Sequence, residues 1–179
     1  GYLVDISKDI DFSDSTDETV RRSIFSLFEK VNAIKPDTVI IRYDTAFSYK
    51  TTNTDAVECL INALKEDGKF TILFIDDEKH NAEKTSPDTI SEIAEKYQPD
   101  AIMLGTDYSD SAVKNATEIK ASLNEKNIFF GIITDDAPSK EKTDFIKKEN
   151  VDFCFIRINN TLKQGAENTI KSWAETAIA

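Results

Sequence analysis

Apolar residues along this chain fall in short blocks, separated by longer stretches in which they recur every three or four positions. The blocks are 2–6 "YLVDI", 38–43 "TVIIRY", 70–75 "FTILFI", 101–104 "AIML", 128–133 "IFFGII" and 151–157 "VDFCFIR". They are apolar almost throughout and rich in Ile, Val and Phe. That is the pattern of strands covered on both faces, as in a parallel sheet. The stretches between them predict amphipathic helices. Residues 16–34 put Val20, Ile24, Leu27, Phe28 and Val31 on one stripe, and Pro36 stops the run. Residues 54–66 group Val57, Leu60, Ile61 and Leu64, with Gly68 placed to end the helix in a left-handed turn. Residues 86–96 open with Ser86 as N-cap and Pro87 at the first helical position. Stretches 110–124, 139–149 and 161–177 complete the set.

Strand then helix, six times over, predicts an α/β fold of parallel (β/α) repeats in one domain spanning 1–179. The repeat has two phases. The second, fourth and sixth units begin "KPDTVIIRYD", "QPDAIMLGTD" and "NVDFCFIRIN", whereas the third and fifth read "LKEDGKFTILFIDD" and "LNEKNIFFGIITDD". In an eight-stranded barrel, alternate strands fill alternate interior layers. The two-phase repeat therefore predicts a partial or trimmed TIM-like barrel, with an open doubly wound sheet as the alternative.

The net charge of −11 changes the list of partners. Phosphate backbones and anionic membranes need Lys and Arg, so nucleic acid is excluded as a partner. No block approaches the ~18 apolar residues of a membrane span, so membrane insertion is not expected. The chain starts at Gly1 and runs straight into a strand pattern. A removed leader is expected, with a secreted or cell-envelope location and the cytoplasm as the alternative. Cys59 and Cys154 read as reduced core thiols, and no Cys/His spacing suits zinc. The single histidine, His80, falls in "DDEKHNAEK", which reads as a solvated loop. The first loop, "SKDIDFSDST", has no glycine to cradle a phosphate. No cofactor is expected.

In parallel α/β folds, ligands bind at the C-terminal ends of the strands. Those ends carry Asp5; Arg42, Tyr43 and Asp44; Asp76 and Asp77; Asp107 and Tyr108; Asp135 and Asp136; Arg157 and Asn159. Two family resemblances bear on this edge. "TILFIDDEK", "YQPDAIML" and "VDFCFIR" resemble strands of a response-regulator receiver domain, but Gly105 stands where its phosphoacceptor aspartate belongs. The order and spacing of "GYLVDIS", the 16–34 helix, "DTVIIRYDTAFSY", "VDFCFIRIN" and "TIKSWAE" with Trp173 resemble the bacterial glycoside hydrolase-like barrels, the family-10-like group. That resemblance implies a carbohydrate-active or carbohydrate-binding domain. The chain departs from it in having six units where a barrel has eight, and no predicted strand ends in Glu.

Glycoside cleavage needs two carboxyls flanking the bond. Asp107 with Asp135 or Asp136 are the candidates for that pair. Arg42, Arg157, Tyr43 and Tyr108 are candidates to hold hydroxyls and stack on rings, with Asp5, Asp44, Asp76, Asp77 and Asn159 as further ligand-binding candidates. The competing explanation is structural. Aspartate is favoured in caps and turns after strands, and the arginines then pair with those aspartates. The aspartates lack a D-x-D-x-D-G spacing for calcium, so no metal site is expected. A domain that kept the barrel and lost its acids would be a non-catalytic binding or scaffolding module. A receiver-like signalling module is the remaining alternative.

Overall fold

A computed structural model describes residues 1–12, 16–44, 48–75, 86–105, 110–135, 139–147, 151–157, 167–168 and 171–172. Its elements, in chain order, are β1 (Tyr2–Asp5), α1 (Ile6–Asp9), α2 (Asp17–Ile34), β2 (Thr38–Tyr43), α3 (Ala56–Glu66), β3 (Phe70–Ile75), α4 (Pro87–Tyr97), β4 (Ala101–Gly105), α5 (Asp110–Asn124), β5 (Phe129–Asp135), α6 (Lys140–Lys147) and β6 (Phe153–Arg157). All but four residues of the expected 161–177 helix lie outside the described residues, as do His80 and Trp173.

The helices start and stop as local chemistry dictates. Thr16 caps α2 by accepting the Thr19 N–H at 3.3 Å. Ser86 does the same for α4 through Thr89 N–H at 3.1 Å, with Pro87 at the first helical position. Gly68 takes φ +74° after α3. Its N–H donates to Lys65 O and that of Lys69 to Leu64 O, the paired bonds of a Schellman ending.

The six strands form one sheet in the order β1-β2-β3-β4-β5-β6, with every neighbouring pair parallel. A doubly wound sheet reverses its order at a switch point. This sheet never reverses, so the doubly wound alternative is corrected, and with it the receiver-like reading that needed it. Each strand simply adds beside the last, as in a (β/α) barrel left open between β1 and β6.

One face of the sheet packs on the helices. Val39, Ile41, Leu73, Ile75, Ile102, Leu104, Phe130 and Ile132 join residues of α2, α3, α4 and α5 in a continuous core. The other face, the inner face of the partial barrel, forms a smaller cluster of Ile72, Phe74, Ala101 and Met103, with Ile40, Phe70, Ile133 and Phe153 against it. No described helical residue belongs to that cluster.

The aspartates before β4 and β6 now have a physical reason. Asp100 Oδ2 accepts both the N–H of Thr71 at 2.7 Å and its hydroxyl at 2.8 Å, while the Asp100 carbonyl accepts the N–H of Phe129 at 2.9 Å. One residue thus ties the starts of β3, β4 and β5 together. Asp152 Oδ2 likewise accepts the N–H of Phe130 at 2.8 Å. These aspartates extend the parallel ladder by a side chain where the backbone ladder begins.

The cysteines need a correction. Neither forms a disulfide, but Cys59 is exposed, and Cys154 is half-buried at the margin of the core. Cys59 sits on α3 beside, not within, the buried stripe of Val57, Leu60, Ile61 and Leu64.

Candidate functional site

The C-terminal strand ends are built first around Asp5. Directly after it the chain turns through α1, because Ile6 and Ile10, four apart, are both buried. Asp9 reaches back one turn and accepts the Asp5 N–H at 2.8 Å. The turn brings Ser7 and Lys8 to the Asp5 carboxylate. Oδ1 accepts the Ser7 hydroxyl at 2.6 Å, and Oδ2 lies 3.1 Å from Lys8 Nζ. Arg42, in register with Asp5 on β2, donates from Nη1 to Oδ2 at 3.1 Å. Burial alone would raise the Asp5 pKa. The hydrogen bonds from Ser7 and Lys8, and the charges of Lys8 and Arg42, outweigh it and hold the carboxyl below its ordinary value. Asp5 is therefore an ionised acceptor at neutral pH, not a proton donor. A polar cavity of about 530 Å³ opens beside it, lined among others by Ser7, Lys8, Asp9, Ser23 and Lys30.

Tyr43 follows the parity of Val39 and Ile41 and turns toward the helices. It stacks on Tyr49 at 5.1 Å between ring centroids and meets Tyr97 edge-on at 5.7 Å. Burial raises all three phenols, those of Tyr49 and Tyr97 to about 12, so none ionises near neutrality. Asp44 is fixed through its backbone: its N–H donates to the buried Tyr49 hydroxyl at 2.7 Å. The segment carrying Tyr49 is anchored in turn by Asp17 at the start of α2. Asp17 accepts from the Thr51 hydroxyl, from Asn53 N–H at 3.1 Å and from Asn53 Nδ2 at 2.7 Å. The Thr51 and Asn53 bonds pull the Asp17 carboxyl down to about 2.

At the other side of the sheet, Asp135 ends β5 in register with Arg157, which ends β6. An aspartate opposite an arginine thus closes both the first and the last strand pair. Of the remaining expected site residues, Asp76, Asp77, Asp107, Tyr108, Asp136 and Asn159 lie outside the described residues. The structure therefore joins Asp5 to Arg42 directly and pairs Asp135 with Arg157 in register. Tyr43 packs on the helix side of the sheet, against Tyr49 and Tyr97. Sequence reading missed Ser7, Lys8 and Asp9, which act through a four-residue helix with no periodicity to betray it. It also missed Tyr49, the support of Asp44.

A second cavity, of about 600 Å³, lies at the opposite edge, where Asp100, Asn127 and Ile128 precede the strands. Its two lysines are engaged: Lys65 with the Gln98 carbonyl at 2.8 Å and Lys126 with Glu95 at 3.2 Å. Among the described residues no cluster of three His, Cys, Asp or Glu is placed to hold a metal.

No protein-family model matches the chain. No curated protein matches it either. Solved structures do. The chain is similar to a chitinase from Chromobacterium violaceum, with TM-score 0.62 and 10% identity, covering 98% of this chain and 64% of that one. It is similar to the Bacillus cereus spore cortex-lytic enzyme SleL, with TM-score 0.63 and 8% identity over 98% of this chain and 47% of that one. It also resembles a xylose isomerase domain protein from Planctomyces limnophilus, with TM-score 0.54 and 13% identity over 84% of this chain and 65% of that one. The chain thus spans from about half to just under two thirds of these proteins. At such identities the shared property is the fold, a TIM-like α/β barrel of which the described residues supply six strands.

Proposed function

We propose that this chain is a carbohydrate-binding domain built on a partial glycosidase-type barrel. The observation that carries the reading is the strand-end chemistry: an ionised Asp5 clamped by Arg42, Lys8 and Ser7. Carboxylates and guanidinium groups hold hydroxyls by charge-assisted hydrogen bonds. Two of the fold neighbours are named for cutting glycans, a chitinase and a spore cortex-lytic enzyme. The resemblance to the family-10-like barrels adds the expectation of a sugar polymer. Such polymers lie outside the cell or in its envelope, which carries the same location for this domain.

The test is isothermal titration with the N-acetylglucosamine tetramer, a linear β-glucan fragment and a peptidoglycan fragment. One of them binds, and Arg42→Ala weakens it about tenfold or more with an unchanged circular-dichroism spectrum. Absence of binding across the panel sinks the reading.

A second reading is hydrolysis, with Asp107 as proton donor and Asp135 or Asp136 as its partner. Asp135 ends β5, the neighbour of the β4 that leads to Asp107. If this reading is right, Asp107→Asn abolishes release of shorter oligosaccharides from the bound glycan. Asp5 takes no part as an acid, since its neighbours keep it ionised.

A further inference from the structure

Helix α2 has two faces. Val20, Ile24, Leu27 and Val31 form the buried one. At about 100° per residue, Glu18, Phe25 and Glu29 lie on the opposite side, flanked by Arg21 and Arg22. The Phe25 side chain is 65% exposed, more than any other large apolar side chain among the described residues. An open groove of about 590 Å³ runs beside it, lined by Asp17, Glu18, Arg21 and Arg22.

A lone exposed phenylalanine would carry no inference. This one stands midway between opposite charges. Arg21 lies four residues before it and Glu29 four residues after, about 6 Å along the helix axis in each direction. Two of the chain's four arginines are on this face, and protein interfaces favour arginine with aromatic side chains. Arg21 Nε donates to Thr54 Oγ1 at 3.0 Å, which steadies its guanidinium. Arg22 pairs with Glu18 one turn back at 2.6 Å, an exposed ion pair worth little by itself.

The chain carries −11 in all, so two copies repel over most of their surfaces. On this face Asp17, Glu18 and Glu29 are nearly balanced by Arg21 and Arg22. We propose that a second copy of the chain docks here, α2 against α2, antiparallel about a two-fold axis at Phe25. The axis sets the two Phe25 rings together and places Arg21 of each copy opposite Glu29 of the other. The charges select this arrangement. A parallel pair sets each charge against its own copy. An antiparallel axis one turn earlier, at Arg22, sets arginine on arginine, and one turn later, at Glu29, glutamate on glutamate. Like charges penalise all three. With 18 residues, α2 is about 27 Å long, and one helix pair of that length buries less than the ~800 Å² per partner of a standard interface. The dimer is therefore weak, with Kd on the order of 10–100 µM. It forms whether or not the strand ends bind a glycan.

The experiment is sedimentation equilibrium of the full chain and its variants, up to about 500 µM, fitted for Kd. Phe25→Ser weakens the dimer about tenfold or more. Its circular-dichroism spectrum is unchanged, because Phe25 is exposed in the single chain. Arg21→Glu and Glu29→Arg each weaken it about tenfold. The double variant Arg21→Glu/Glu29→Arg returns to within about threefold of the unmodified chain, because it rebuilds both ion pairs across the axis. A role for these side chains within one chain gives no such rescue. A chain that stays monomeric at about 500 µM, an unchanged Kd in Phe25→Ser, or a double variant as weak as the single ones overturns the proposal.

Discussion

Replacing Asp100 by alanine tests the reason given for the aspartates before β4 and β6. The Asp100 carboxylate is the partner of two polar groups on Thr71, at 2.7 and 2.8 Å, and Thr71 is fully buried. Truncation leaves a buried N–H unsatisfied, which costs about 1–3 kcal/mol, and removes hydrogen bonds to a charged acceptor, each worth about 1.5–3 kcal/mol net. These overlap, so the expected loss is about 3 kcal/mol. The Lys65 ion pair at 3.6 Å adds little, because the Lys65 side chain is exposed and Asp100 is only half-buried. Asp100→Asn keeps an acceptor for the Thr71 N–H and loses about 1 kcal/mol. Asp37→Ala, at the same place before β2, changes stability by less than about 0.5 kcal/mol, because the Asp37 side chain is exposed and only its carbonyl serves β3. The assay is urea unfolding followed by far-ultraviolet circular dichroism, fitted for midpoint and slope. At roughly 2–4 °C per kcal/mol for a domain of this size, Asp100→Ala also melts about 6–12 °C lower. A loss below about 0.5 kcal/mol in Asp100→Ala, or an equal loss in Asp37→Ala, refutes the strand-start clamp.

Gly131→Ala should cost about 1–3 kcal/mol, since its methyl would overlap the Phe153 ring; Gly105→Ala, with open space, should cost far less, and the same urea titration compares them. The Asp17 carboxyl, held at about 2 by Thr51 and Asn53, sits below its unfolded value of about 3.9. Its contribution is therefore full above pH ~4 and is lost as pH falls toward 2. Amide exchange or NMR shifts of Asn53 and Thr54 should show that loosening, and Asp17→Asn should remove most of its pH dependence. Tyr49→Phe removes the acceptor of the Asp44 N–H and keeps the stack on Tyr43; a loss of about 1 kcal/mol, with faster exchange at Asp44, is expected.

Strand positions were legible because a buried parallel strand is apolar on both faces. For the same reason, which face each residue takes was not. In "TVIIRY" Val39, Ile41 and Tyr43 share one parity and Thr38, Ile40 and Arg42 the other, but nothing in the string says which of the two lies under the helices. Strand order was only suggested. The two-phase repeat pointed to a barrel, but the meaning of the aspartates before β4 and β6, a bond to the neighbouring strand's N–H, depends on which strand is the neighbour. Cys59 could have been placed correctly, since it lies beside the stripe already drawn for its helix. The Asp5 cluster was half legible. The pairing of Asp5 with Arg42 follows from two strand ends in one parallel register, but Ser7 and Lys8 reach it only because Ile6 and Ile10 wind the chain into one turn.

The central claim is that a glycan binds at the C-terminal strand ends. The most direct test is a two-dimensional amide NMR titration of the labelled chain with the N-acetylglucosamine tetramer, the glucan fragment and the peptidoglycan fragment. One ligand should shift the amides of Asp5, Ser7, Arg42 and Asp135, and leave those of Gln98, Asp100 and Asn127 unmoved. Shifts confined to Gln98, Asp100 and Asn127 at the opposite edge, or none with any ligand, would contradict it.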